Sequence, residues 1–351
     1  MSRKKKTLPK NFDELIEAED ILGLKEVFTK CELDARGGYS KSTALGFYNI
    51  PHELVRWLVE QGADINASDS YGRTALHKHA ISSSGITELL LDLGANIEAS
   101  DYQNETPLFA AAGFCNPNAV LTLVANGANS SAKNKMKQTP LEKALAMCKN
   151  SDIVNMAKVA DILLDAGVNV TQEMKESIKR IGTDFEFHRE GFNKDYLNQT
   201  DEALLHLYEL FEVPPVGKRK THDGASPIEV STKIWQAQHS ELWSLLIPSQ
   251  GHAKTVQGEV IRITGKVSYE ILDNGGINWD NQYRKMLKSL NQYFKLGTPL
   301  DDATLLEVET LVKELHNGNG SDEPARLCEL AVSWVLSNLN PITLEQPDYK
   351  R

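Results

Sequence analysis

The sequence predicts an all-α protein, a solenoid of stacked helical hairpins over its N-terminal half followed by a small helical bundle domain. Three observations predict it. A phrase built on Gly-Ala-Asx recurs at Gln61-Gly62-Ala63-Asp64-Ile65-Asn66, Leu93-Gly94-Ala95-Asn96-Ile97-Glu98 and Asn126-Gly127-Ala128-Asn129, with a worn copy at Ala166-Gly167-Val168-Asn169. A second marker, Thr followed by Ala or Pro and then Leu, opens at Thr43, Thr74, Thr106 and Thr139. Beyond residue 231 the Gly-Ala-Asx phrase no longer recurs, and apolar residues fall at plain helical spacing.

Two markers in phase identify a repeat architecture before any single element is argued. The glycines are 32, 33 and 40 residues apart and the threonines 31, 32 and 33. The last glycine interval therefore carries an insertion of about seven residues over the period. Residues 149–156 lengthen the fourth unit at that point, between its two helices.

The elements follow in order. Ser2-Arg3-Lys4-Lys5-Lys6 is basic but has no apolar core after it, which argues against a secretory signal. Residues 1–10 are expected to be a disordered basic terminus. Residues 11–18 and 21–28 read as two short amphipathic helices rich in charge, as a capping unit requires. In each later unit, Thr and Pro open a first helix, the hydroxyl capping free amides and the Pro sitting where its missing N–H costs nothing. Small residues such as Ala110, Ala111 and Ala112 let that helix approach its neighbours. The second helix carries an apolar stripe, Leu54, Val55, Trp57, Leu58 and Val59 in one unit and Leu89, Leu90 and Leu91 in the next. Gly62, Gly94, Gly127 and Gly167 end it in the left-handed conformation.

These units resemble the ankyrin repeat family, whose unit reads roughly Asp-x-x-Gly-x-Thr-Pro-Leu-His-x-Ala-Ala, an apolar helix, then Gly-Ala-Asp-x-Asn. The fullest copy opens with Asp69-Ser70-Tyr71-Gly72-Arg73-Thr74-Ala75-Leu76-His77 and runs to Asn96; the next opens at Asp101 and continues Thr106-Pro107-Leu108-Phe109-Ala110-Ala111-Ala112. The resemblance, with its cap, covers residues 11–170. It implies a rigid scaffold that binds another protein through side chains on the turns between units and on the inner face of the first helices. Carried over by position, those side chains are Tyr39, Ser70, Tyr71, Arg73, Tyr102, Gln103, Glu105, Lys135, Met136 and Gln138, with Ile81 and Phe114 near the inner helix ends. Tyr39, Tyr71 and Tyr102 stand 32 and 31 residues apart, and aromatic residues on a presented ridge suit binding hot spots. Padding of the stack is the alternative use of those rings.

Residues 171–212 continue as a helical extension. Val213-Pro214-Pro215-Val216-Gly217-Lys218-Arg219-Lys220 then combines breakers that neither helix nor central strand tolerates, so residues 213–230 are read as a Pro-rich linker. Residues 231–340 read as a C-terminal domain of about five helices, with 341–351 as a tail. Within it, Val256, Val260, Ile263, Val267 and Ile271 share one helical face; the β-branched content leaves a strand as the alternative. The residues of this third do not assign it to a family.

The sequence holds no catalytic constellation, no cofactor motif and no metal spacing. His77 and His79 point to different sides of a helix. Glu241, Glu259, Arg262, Glu270 and Asp280 read as charges on helix exteriors rather than as a pocket lining. Cys31, Cys115, Cys148 and Cys328 are scattered, which fits a reduced, cytoplasmic protein. A net charge of −10 opposes general nucleic-acid binding and suits a basic partner, leaving Lys218-Arg219-Lys220 as a weak basic patch. No apolar run is long enough for a membrane span. The expectation is a non-enzymatic protein that grips a partner protein, in the manner of an inhibitor or immunity-type protein. The alternative is an effector or enzyme whose activity lies in the C-terminal helical domain, with the repeats as targeting module.

Overall fold

The computed structural model describes residues 3–82 and 84–351. The chain forms two compact units, Met1–Phe185 with Asn193–Val216, and Glu186–Phe192 with Gly217–Arg351.

The first unit begins with a strand, β1 (Lys5–Thr7), followed by α1 (Phe12–Glu17) and α2 (Ile21–Lys30). β1 pairs in parallel with β2 (Cys31–Gly37), which pairs antiparallel with β3 (Ser42–Thr43). The N-terminal residues were expected to be disordered; instead Lys5–Thr7 forms a ladder, and the Lys4 ammonium donates to the Phe28 carbonyl at 2.7 Å. An exposed three-residue Lys-Lys-Thr strand has no apolar alternation from which to read it. The first-helix position of the first repeat is reduced to one 3₁₀ turn, Ala44–Gly46.

After it come α3 (His52–Glu60), α4 (Ala75–His79), α5 (Ile86–Asp92), α6 (Pro107–Gly113), α7 (Pro117–Ala125), α8 (Pro140–Met147) and α9 (Ile153–Asp165). Leu54, Val55 and Leu58, then Leu89 and Leu90, form the buried stripes, while Trp57, Val59 and Leu91 are only half-buried. Ala111 and Ala112 are fully buried where α6 packs on α4, α7 and α8. The insertion before Gly167 is not simply a longer loop. A 3₁₀ turn takes Asn150–Asp152, and residues 153–156 open α9, which has 13 residues where α7 has 9. Ile153 and Met156 are fully buried there, so apolar burial drew the inserted residues into helix. α10 (Gln172–His188) and α11 (Lys194–Leu210) follow.

Each second helix ends alike. Gly62, Gly94, Gly127 and Gly167 have φ of 97°, 89°, 86° and 88°. In all four the glycine N–H returns to the carbonyl three residues back, and the next N–H to the carbonyl five back. This is the Schellman closure that a left-handed residue permits. The worn fourth copy keeps it because it needs Gly and not the Ala that Val168 replaces.

In the second unit, α12 (Trp235–Leu246), α13 (Val256–Ser268), α14 (Asn281–Tyr293), α15 (Asp302–Glu314) and α16 (Glu323–Leu336) form a bundle. α13 is helix and not strand, and it continues through a π turn at Tyr269–Asp273. It packs against α12, α14 and α16 and is buried almost all round, which accounts for its β-branched, strand-like composition. The last residues are not a loose tail. Val256 donates to the Ile342 carbonyl at 2.8 Å, and Tyr349 is 2% exposed.

Three charges expected on helix exteriors lie in this core: Glu259, Arg262 and Glu270. Arg262 Nε donates to Glu259 Oε2 at 2.8 Å, and the same carboxylate accepts from the Ala253 N–H at 3.0 Å and the Tyr349 hydroxyl at 2.7 Å. Burial pushes the Glu259 carboxyl up, but these bonds together hold it below the ordinary carboxylate range. Periodicity placed the apolar face correctly and could not show that the opposite face is covered as well.

Candidate functional site

The turns between repeats are built from one device used three times. Asp69 Oδ1 accepts from the Tyr71 and Arg73 N–H groups at 2.8 and 3.0 Å. Asp101 holds Gln103 and Glu105 at 2.8 and 3.0 Å, and Asn134 holds Met136 and Gln138 at 3.0 Å each. Burial raises the Asp69 carboxyl, but those two N–H bonds and the Arg73 side chain bring it below its usual range. The tips are also tied to one another: Ser70 N–H to the Ser40 carbonyl at 2.9 Å, Tyr102 to Tyr71 at 3.1 Å, Lys135 to Gln103 at 2.9 Å. Backbone groups of a surface loop are thus satisfied inside the array, leaving the side chains outward.

Behind the tips, His77 works as a staple. Its Nδ1 accepts from the Thr74 N–H at 3.1 Å, which leaves Nε2 to donate to the Glu105 carbonyl of the next repeat at 2.9 Å. His79 Nε2 meets the Leu45 carbonyl at 2.8 Å. Burial lowers the pKa of both, that of His79 to about 4, so both imidazoles are neutral at physiological pH.

The residues named from the sequence divide into two sets. Tyr39, Tyr71, Tyr102 and Met136 are 94%, 45%, 63% and 75% exposed on consecutive tips. The Arg73 guanidinium lies 4.8 Å over the Tyr71 ring and is held from behind by Asp69 at 3.0 Å. Tyr102 lies across Gly72, where a Cβ would come 2.8 Å from the ring; with φ at +81°, Gly72 meets both demands. Gln103 and Lys135 have exposed side chains, while Ser70 bonds back to Ser40. Glu105 and Gln138 face inward: Asn134 Nδ2 donates to Glu105 at 3.0 Å, and Lys143 pairs with it. Those two support the tips. Phe114 is exposed and, with Ile81, Tyr48, Lys78 and Met147, edges a groove of about 270 Å³ along the first helices. Position in the repeat singled out Ile81 and Phe114; nothing in the sequence singled out Tyr48, Lys78 or Met147, because they belong to the groove only through the stacking of units.

Residues 44–134 match the family model of ankyrin repeats in three copies. This stretch is an ankyrin-repeat array. An ankyrin repeat protein of Acanthamoeba polyphaga mimivirus is 38% identical over 63 residues, which are 18% of this chain and 39% of the relative. The match thus spans about two fifths of that relative's length. Among solved structures, an ankyrin repeat domain from Acinetobacter baumannii is 22% identical, with 56% of this chain and 96% of that chain covered and a TM-score of 0.40. Ankyrin repeats are protein–protein interaction modules, and their partners are proteins. Among the described residues no helix is long and apolar enough to cross a membrane.

Of the linker's basic run, Arg219 is engaged, while Lys218 and Lys220 are exposed. Arg219 donates to the carbonyls of Ser244 at 2.6 Å and Phe187 at 3.1 Å, and its guanidinium stacks 4.0 Å over the Phe187 ring.

Proposed function

We propose that the ankyrin array grips a partner protein along the ridge of Tyr39, Tyr71, Arg73, Tyr102 and Met136 and the groove edged by Tyr48, Ile81 and Phe114. The observation that carries this reading is the separation of roles at the tips: the backbone is bonded inward repeat by repeat, while large amphipathic side chains stand exposed. Such rings bury much area at small entropic cost.

The charge of the ridge revises the partner that net charge suggested. Lys41, Lys133, Lys135 and Lys137 are exposed on these turns, whereas Asp69, Asp101 and Glu105 are engaged inside the array. The partner surface that fits is acidic, even though the chain carries −10 overall. Inhibition of an effector, as by an immunity protein, is one use of such a grip, within a cytoplasmic setting that the reduced cysteines suit.

The test is recovery of partners from native cells by the full chain and by Tyr71→Ala/Tyr102→Ala. The double variant should keep its thermal melt and lose at least about tenfold in affinity for the recovered partner, as truncation of paired hot spots does. Added salt should weaken the wild-type complex further. Unchanged recovery by the variant sinks the ridge assignment.

A further inference from the structure

The second unit contains a cavity of about 590 Å³, within the size range of small-molecule sites. Its walls are aromatic. Trp243 lies flat on α13 at Gly265, where a Cβ would stand 2.4 Å from the ring. Tyr283 is stacked on Trp279 with centroids 4.8 Å apart and planes 8° apart, so its orientation is fixed. His239 stacks on Trp243 and is kept neutral by burial, its pKa pushed down to about 4.

The Glu270 carboxylate and the Arg351 guanidinium of the cavity are engaged, and the Lys266 ammonium is not. Glu270 accepts from Asn274 Nδ2 at 3.1 and 3.0 Å and from the Asn278 N–H at 2.6 Å. Arg351 pairs with Asp280 at 3.1 Å and covers the Tyr283 ring. The Lys266 ammonium has no hydrogen bond or ion pair among the described residues, although it is half-buried. Other half-buried cations of this unit are satisfied: Arg326 by Glu307 and Glu329, Arg219 by three carbonyls. Burial first, and the neighbouring Arg262 second, lower the Lys266 pKa. The Glu259 carboxylate offsets part of this, but it is already bonded to Arg262, and no carboxylate pairs with Lys266 itself among the described residues.

We propose that this cavity binds a small planar aromatic anion, its ring packed beside Trp243 and the edge of Tyr283 and its carboxylate or phosphate on the Lys266 ammonium. The aromatic walls supply ring contacts, and the single charge supplies orientation and selects against neutral rings. This site is independent of the array's grip on a protein, so either reading can fail alone.

The experiment is calorimetric titration of the full chain with indole-3-acetate and with adenosine 5′-monophosphate, each beside its neutral counterpart, indole-3-acetamide and adenosine. One anion should bind, with its neutral counterpart about tenfold weaker or more, the usual worth of a hydrogen bond to a charge. Which anion binds tells carboxylate from phosphate. Lys266→Met keeps the apolar stem and should reduce the anion to the affinity of the neutral compound, whereas Lys266→Arg should retain it. The comparison of charged and neutral compounds on the wild-type chain needs no variant. No binding of either anion at about 10 mM, equal binding of the neutral compounds, or an unchanged Lys266→Met would overturn the proposal.

Discussion

In the array, a short polar side chain works on its own turn: Asp69, Asp101 and Asn134 each hold two N–H groups within four residues, and the device is copied from repeat to repeat. In the second unit, Glu259 works across the whole domain, bonded to Arg262 on its own helix and to Tyr349 ninety residues away. The difference teaches where each unit is vulnerable. Copied local bonds make stability a sum over neighbours, so one lost copy weakens one interface. A single buried ion pair has no copy, and removing one partner leaves a charge in the core.

The sharpest way to break the comparison is Arg262→Met. Leaving Glu259 unpaired should cost the second unit about 3–5 kcal/mol, measured as lost hydrogen-exchange protection along α13 with α6 and α7 unchanged. The double variant Glu259→Gln/Arg262→Met should recover part of the loss, since replacing both charges removes the uncompensated one. No recovery would mean that the network acts through shape alone.

Acid is the next lever. His79 titrates near 6.5 when unfolded and near 4 in the array, so the unfolded chain binds its proton first as pH falls. The stability this group contributes is full above about pH 6.5 and is lost progressively down to about pH 4, a change on the order of 3 kcal/mol. His77 is shifted in the same direction. Melting temperature measured against pH should fall over that window, and His79→Gln should flatten it. An unaltered slope would remove His79 as the cause.

Two glycines separate fit from conformation. Gly265→Ala in the second unit drives a methyl into Trp243 and should cost about 1–3 kcal/mol as overpacking, read from chemical denaturation. Gly94→Ala in the array meets nothing within 4 Å and is strained only by its φ of 89°, so about 1 kcal/mol is expected. At the small end, Tyr39→Ala removes a ring that is 94% exposed and should change stability by no more than about 0.5 kcal/mol. A larger loss would show that this ring pads the stack.

Legibility followed the same division. The caps at Gly62, Gly94, Gly127 and Gly167 and the stripes at Leu54 and Leu89 were readable because each depends on its own few residues and is written several times. The aromatic tips were readable by position, since exposure at a turn follows from the repeat. The engagement of Glu105 by Lys143 was not, because it depends on the neighbouring unit. β1 was not legible because two lysines and a threonine carry no apolar period, and the opening turn of α9 because a single insertion has no second copy to compare.

By itself, then, the sequence determined the repeating scaffold: local dihedral demands and a beat of 32 or 33 residues suffice when every contact is between neighbours in the chain. Only the tertiary structure decided that Glu259, Arg262 and Glu270 are interior, that residues 341–351 close the core, and that Lys266 lines an aromatic cavity without a partner among the described residues. Those facts are set by contacts between residues far apart along the chain, which leave no periodic trace in it.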